Sequence, residues 1–293
     1  MIVKCLIFAT LAAVGRCAYQ DELARNYIWP LTVDSYNHGV KSCIGNTLGA
    51  ATNYEFGAQI TVKCDDHSSK DSCSGYTVAI HTQKAVLITF RGTISESQVG
   101  QEINYTLSQP LLPFIGGGKV NGYFLNGYNL LWNAGLKDSF LRLKNKYPTY
   151  KIWVAGHSLG AALASITAAS LTATKLITKD QLLLYTFGQP RVGDKAFADA
   201  YPSLVPEAYR VVHHWDIIPH LPTAGFMGYT HHKSEVWYNN NMKKGDPYII
   251  CAEEESLLCS NSVLTPTQSD HGEYYGLRNY LGNHECVPGG GSF

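Results

Sequence analysis

The chain is poor in charge and has no excess of either sign. Charged residues make up 16% of it, and 23 Lys and Arg balance 23 Asp and Glu. No basic run breaks that balance, which argues against nucleic acid and against strong attraction to an anionic membrane. There is no C-x-x-C pair, so a cysteine zinc site is not expected, and nothing in the composition calls for a metal or an organic cofactor. Internal repeats and long linkers are missing, which argues against solenoids and tethered arrays. Past residue 18 no apolar run is long enough to cross a bilayer as a helix.

What is present begins with a leader. Residues 1–4 form a short basic start, 5–14 are apolar, and the small residues Gly15, Cys17 and Ala18 follow. This is the pattern of a secretory signal peptide (1–18), cleaved between Gly15 and Ala18, and it predicts a secreted, extracellular protein. About 275 residues then remain, which suits one α/β domain, 19–293. Removing the leader leaves Cys43, Cys64, Cys73, Cys251, Cys259 and Cys286. In an oxidising compartment an even set of this kind reads as disulfides. Short loops favour Cys64–Cys73 and Cys251–Cys259, leaving Cys43 for Cys286. Asn104-Tyr105-Thr106 is an N-glycosylation triplet. The glycine-rich end, 289–292, is expected to fray.

Residues 76–81 and 85–90 read as neighbouring strands with a turn at Gln83-Lys84. Residues 128–146 carry apolar side chains at three- and four-residue steps and read as a helix closed by Pro148. Strands are expected from Ile152, over 182–187 and over 209–214. A short helix is expected at 196–201, and edge strands at 236–238 and 248–251. Strands alternating with helices imply a mostly parallel central sheet covered by helices on both faces.

The most informative stretch is 151–164. An apolar run, Ile152 to Ala155, stops at Gly156-His157-Ser158-Leu159-Gly160, and the small residues Ala161, Ala162 and Ala164 follow. This is strand, sharp turn and helix with a serine at the tip, a turn that lifts the hydroxyl off the sheet. The five letters G-x-S-x-G are weak alone; the strand before them and the small-residue helix after them give them weight. The Leu159 N–H then points at a substrate oxyanion from the helix N-terminus. A serine hydroxyl needs a base, normally His, oriented by a carboxylate. With the chain order Ser, acid, His, Asp216 fits as the acid, directly after the strand over 209–214. Asp194 is the rival, although a helix cap is its ordinary explanation. Of the histidines after the serine, His213 and His214 sit too close to Asp216, and His271, in a turn-rich loop, is the best placed without being decided. His157 is expected to pack or hydrogen-bond locally. The H-G-G-G loop that often supplies a second oxyanion donor is absent; Thr93, in Phe90-Arg91-Gly92-Thr93, is the substitute.

These motifs, together with Thr186-Phe187-Gly188-Gln189-Pro190-Arg191-Val192-Gly193, Trp215-Asp216-Ile217-Ile218-Pro219-His220-Leu221-Pro222 and Ser269-Asp270-His271, resemble the class 3, fungal-type triacylglycerol lipases, in particular secreted nematode-like members. The resemblance spans nearly the whole mature chain. It implies an α/β-hydrolase fold, with Ser158 as nucleophile, Asp216 as triad acid, His271 as base, and Thr93 and Leu159 as oxyanion donors. It implies a lipid ester substrate met at a lipid–water interface by a monomer. The pairing of an N-terminal cysteine with the last one, and the small Cys251–Cys259 loop, also match the family. One departure matters. The family's lid falls on 94–107, which here has no Trp and is rich in Ser, Gln and Glu. A lid this polar gains less apolar contact at an oil surface, so a soluble-ester or feruloyl-type esterase is the alternative. A lipase-fold binding protein without catalysis is the remaining one. A second departure, Gly160-Ala161-Ala162 where many members have another Gly, is conservative for helix packing.

Overall fold

The computed structural model describes residues 19–49, 52–64, 72–93, 106, 108–278 and 286–287. The expected leader, the glycosylation triplet's Asn104, the frayed end 289–292 and the expected lid, apart from Thr106, lie outside the described residues.

In chain order the strands are β1 (Tyr54–Lys63), β2 (Ser72–Ile80), β3 (Ala85–Phe90), β4 (Leu111–Pro113), β5 (Lys119–Asn121), β6 (Lys151–His157), β7 (Leu182–Phe187), β8 (Gly193–Asp194), β9 (Ala208–His213), β10 (Tyr229–Thr230), β11 (Glu235–Tyr238) and β12 (Ile249–Cys251). The helices that frame the site are α1 (Trp29–Asp34), α2 (Val40–Leu48), α3 (Gly122–Leu131), α4 (Lys137–Lys146), α5 (Leu159–Ala173) and α6 (Lys195–Leu204). The main sheet runs β1-β2-β3-β6-β7-β9-β11-β12. Its centre, from β3 to β11, is parallel. The outer pairings β1–β2, β2–β3 and β11–β12 are antiparallel. A small antiparallel sheet, β10-β8-β5-β4, stands beside it.

The pleat explains why the central strands are apolar throughout. Val86, Ile88, Phe90, Ile152 and Val154 face one cluster, with Leu131, Phe140 and Leu143 of the α3–α4 region and Leu163 and Ile166 of α5. Their neighbours Ala85, Leu87, Trp153 and Ala155 face the other, with Trp29, Leu31 and Val33 of α1 and Ile44 of α2. Alternate side chains of a strand point to opposite faces, so a sheet covered on both sides needs apolar residues at every position. The expected mostly parallel sheet with helices on both faces is what the chain adopts.

Several local expectations change. The helix expected over 128–146 is two helices: α3 starts at Gly122, capped by the Asn121 side chain, which accepts from the Tyr123 N–H at 2.9 Å. A wide turn at Trp132–Leu136 joins it to α4 where Gly135 takes φ of 124°. Such a left-handed conformation interrupts a helix and suits glycine. The stretch at 236–238 is not an edge, because β11 lies between β9 and β12. His214 lies just outside β9, with φ of 43°. The three disulfides are Cys43–Cys286, Cys64–Cys73 and Cys251–Cys259.

Candidate active site

Three strand ends meet at one place. At the end of β6 the chain turns at Ser158, with φ of 57° and ψ of −127°, a region that non-glycine residues rarely occupy. The Ser158 N–H donates to the Phe187 carbonyl at the end of β7, at 3.0 Å. The flanking glycines are required by contact. A Cβ on Gly156 would lie 2.1 Å from the Gly160 carbonyl oxygen, and one on Gly160 would lie 2.3 Å from that of Phe90. The elbow is therefore pressed against the end of β3. Gly92, in the next segment, is confined too: its Cβ would be 2.4 Å from the Tyr36 hydroxyl oxygen and 2.9 Å from Ser158 Cβ. Thr93, the expected oxyanion donor, follows it, and Leu159 is the first residue of α5, where N–H groups have no partner within the helix.

Asp216 follows β9 and is fully buried. Its carboxylate accepts from His271 Nδ1 at 2.9 Å, from the Tyr274 hydroxyl at 2.6 Å and from the Ile218 N–H at 2.9 Å. Burial alone would raise this carboxyl; the facing His271, with those hydrogen bonds, outweighs it and holds Asp216 below the usual carboxylate range. His271 is brought in by a short zipper, in which Thr267 donates to the Trp215 carbonyl and accepts from the Ile217 N–H. Its Nδ1 is committed to Asp216. Its Nε2 is buried and has no hydrogen-bond partner among the described residues. Gly188, at φ of 56°, makes room for the pair: a Cβ there would fall 2.7 Å from both Asp216 Oδ2 and His271 Nδ1.

His157 joins the base to the β3 loop. Its ring stacks on that of His271 at 4.4 Å between centroids. Its Nε2–H donates to the His271 carbonyl at 2.9 Å, and its Nδ1 accepts from the Tyr36 hydroxyl at 2.6 Å. The same hydroxyl accepts from the Gly92 N–H at 3.1 Å. Burial, with the His271 ring beside it, pushes His157 well below its ordinary value, so it stays neutral. His157 packs, as one expectation had it, but its hydrogen bonds are not local: Tyr36 and His271 lie 121 and 114 residues away.

The rival residues have other duties. Asp194 caps α6 by accepting from the Phe197 N–H at 2.9 Å. His213 and His214 hold the base loop, contacting the Asp270 carbonyl and carboxylate at 3.0 Å each. His231 donates to the Pro219 carbonyl at 2.7 Å, and His232 is stacked on Tyr201. Behind the acid, Arg191 donates to the carbonyls of Pro219 and Pro222 at 3.1 and 2.8 Å and pairs with Glu255. No group of three His, Cys, Asp or Glu able to hold a metal occurs among the described residues.

A serine raised on a strained elbow and an imidazole whose Nδ1 is held by a buried carboxylate are two of the groups that acyl transfer requires, although His271 Nε2 forms no hydrogen bond to Ser158 here. The profile of the class 3 lipase family matches residues 87–226. A lipase of Caenorhabditis elegans is 32% identical over 90% of this chain and 80% of its own length. A Rhizomucor miehei lipase is 36% identical over 68% of this chain, and the chain spans 54% of its length. Among solved structures, a triacylglycerol lipase whose catalytic centre is a serine-protease triad superimposes with a TM-score of 0.74 at 29% identity, covering 90% of this chain and 98% of that one. A fungal lipase–inhibitor complex offered as a model for interfacial activation gives 0.75, with the same coverage. Motif order, fold and sequence likeness agree: this chain belongs to the class 3 lipase family.

Proposed function

We propose that the protein is a serine carboxylester hydrolase of the triacylglycerol lipase type, with Ser158 as nucleophile, His271 as base and Asp216 as the residue that orients it. The observation that carries this is the His271 Nδ1–Asp216 hydrogen bond of 2.9 Å, which orients the ring and leaves its buried Nε2 without a partner among the described residues. His271 Nε2 takes the Ser158 proton as Oγ attacks the ester carbonyl. The oxyanion is met by the N–H of Leu159, at the positive end of α5, and by Thr93. His271 then protonates the departing alcohol, and water releases the acyl group by the same route. Asp216 stays ionised throughout; its role is to fix the tautomer and stabilise the imidazolium.

The substrate class is a lipid ester taken at a lipid–water interface. Three disulfides and the leader-like residues 1–18 support a secreted, extracellular protein, read here as a monomer with one domain over 19–293; no helix among the described residues is long and apolar enough to span a membrane. The polar composition of 94–107 favours a second reading, an esterase for dissolved esters. Hydrolysis of a short-chain ester across its solubility limit, and of emulsified long-chain triacylglycerol, separates the two. A rate that jumps as droplets form marks a lipase, and smooth saturation without action on the emulsion marks an esterase. Ser158→Ala and His271→Ala are each expected to lose on the order of 10⁶ in kcat. Near-wild-type turnover by either variant overturns the assignment.

A further inference from the structure

The base stands on a piece of chain that the main sheet does not hold. His271 lies in one short turn of helix, Ser269–Gly272. The next residues, Glu273–Tyr274, pair only with Leu277–Arg278 among the described residues. A histidine on such a loop has rotamer and backbone freedom that must be removed before it can serve as a base. The acid is better supported, because Asp216 follows the end of β9 closely.

Consecutive residues on the acid's side grip the residue before the base. His213 Nδ1–H donates to the Asp270 carbonyl at 3.0 Å. His214 Nδ1–H donates to Asp270 Oδ2 at 3.0 Å, and the Trp215 N–H donates to the same oxygen at 3.2 Å. Asp216 then takes His271 Nδ1 at 2.9 Å. The strip 213–216 thus meets the pair 270–271 residue by residue. The peptide on the other side of the base is held as well, since the His271 carbonyl accepts from His157 Nε2 at 2.9 Å.

His214 is itself built into place. It takes φ of 43°, a left-handed backbone that few residues other than glycine adopt. Its N–H donates to the Tyr238 carbonyl at 2.7 Å, and its carbonyl accepts from Trp237 Nε1 at 2.8 Å. Its ring stacks on Trp215, with 4.8 Å between centroids and 11° between planes. Strained residues that their surroundings fix in this way gather at functional sites. What this one aims is an imidazole at Asp270, so a second imidazole–carboxylate pair lies beside that of His271 and Asp216. The Asp270 side chain is 21% exposed, so its loss opens no cavity in the core.

We propose that Asp270 is a positioning residue for the base and that it acts through His214. The pair fixes the peptide that leads into His271, and with it the angle at which the imidazole meets Asp216. This rests on the ester-hydrolase reading of the same site and names what keeps its base in register. The test uses the full chain and a dissolved short-chain ester in steady state. Amide hydrogen exchange of 265–274 and thermal unfolding are followed on the same variants, so that the loop is read without turnover.

Asp270→Ala should lower kcat roughly ten- to hundredfold, the loss expected when a catalytic group is misplaced by up to about 1 Å, with KM within about twofold. Exchange of 265–274 should quicken roughly tenfold or more, while β3 and β6 keep their protection. Asp270→Asn keeps an oxygen that accepts from His214 and Trp215, and should recover most of the loss in both readouts. His214→Phe keeps the stack on Trp215 and loses the donor; it should lower kcat roughly three- to tenfold. The double variant His214→Phe/Asp270→Ala should be no slower than Asp270→Ala alone, as expected of residues that act through each other. Wild-type kcat in Asp270→Ala overturns the proposal, and so does a lowered kcat with unaltered exchange of 265–274. A loss that Asp270→Asn does not recover makes charge the contribution and overturns it too, as do additive losses in the double variant. A lowered Tm with protection lost across the whole sheet makes Asp270 merely structural and also counts against it. A wild-type protein that hydrolyses no ester refutes the hydrolase reading instead, and the exchange pattern then decides the clamp on its own.

Discussion

Replacing Asp34 by Asn isolates the effect of one buried carboxyl on stability. Asp34 ends α1 and is fully buried, close to the segment tied down by Cys43–Cys286. Burial pushes its carboxyl from the ordinary 3.8 up to about 7. The Thr47 hydroxyl and the Val287 N–H pull the other way, but neither closes a hydrogen bond of ordinary geometry on its two oxygens. Tyr76 also faces it, with its own hydroxyl donated to the Leu31 carbonyl at 2.6 Å. Below pH 4 the group is protonated in both folded and unfolded chains. Between about 4 and 7 the unfolded chain has released the proton and the folded chain keeps it, so rising pH favours unfolding. Above 7 both are ionised and the slope vanishes. The interval from 3.8 to about 7, at 1.36 kcal/mol per pH unit, gives a ceiling of roughly 4 kcal/mol. Asn keeps the shape and has no proton to lose. Thermal unfolding followed from pH 4 to pH 8 should therefore show Asp34→Asn near wild type at the acid end. At the alkaline end it should be more stable, by up to roughly 8 to 16 °C at about 2 to 4 °C per kcal/mol. A gap between the two proteins that does not change with pH refutes the reasoning.

Tyr36→Phe removes the hydroxyl shared by His157 and Gly92; kcat should fall roughly ten- to hundredfold with KM nearly unchanged, read from steady-state kinetics on a dissolved ester. Gly160→Ala drives a methyl to within 2.3 Å of the Phe90 carbonyl oxygen, and should cost about 3 kcal/mol or more, seen as lost soluble yield or a lowered Tm. Arg191→Met strands Glu255 and the carbonyls of Pro219 and Pro222, with an expected loss of about 3 to 5 kcal/mol in denaturant unfolding. Adding Glu255→Gln should recover part of it.

The parts of this fold that are legible in the sequence are those where one face or one turn dominates. β3 and β6 are apolar at successive positions because both faces are covered, and the elbow shows itself because only glycine fits at positions 156 and 160. Asp216 is readable as the first carboxylate past its strand. β1 was not, because it is an edge strand of intermediate burial with Glu, Gln and Lys along it. The small sheet escaped because its strands are two or three residues long, too short for any period to register. Within the site, the serine's position is local information and the base's is not. His271 differs from His213 and His214 only through partners 55 to 57 residues distant, so choosing it needed the family resemblance. Tyr36 and Tyr274 act through single hydroxyls across long separations, and no spacing in the sequence marks them.

The Cys43–Cys286 bridge spans 243 positions, so nearly the whole described fold hangs on one covalent ring. A protease that cuts the exposed turn at 223–228 separates the chain segment bearing Ser158 and Asp216 from the one bearing His271, yet releases neither. Both pieces remain one molecule, held at the ring and paired strand to strand, and can close again on the same triad. A single nick in that turn is then a survivable injury, and parting the two pieces requires a second cut or a reductant.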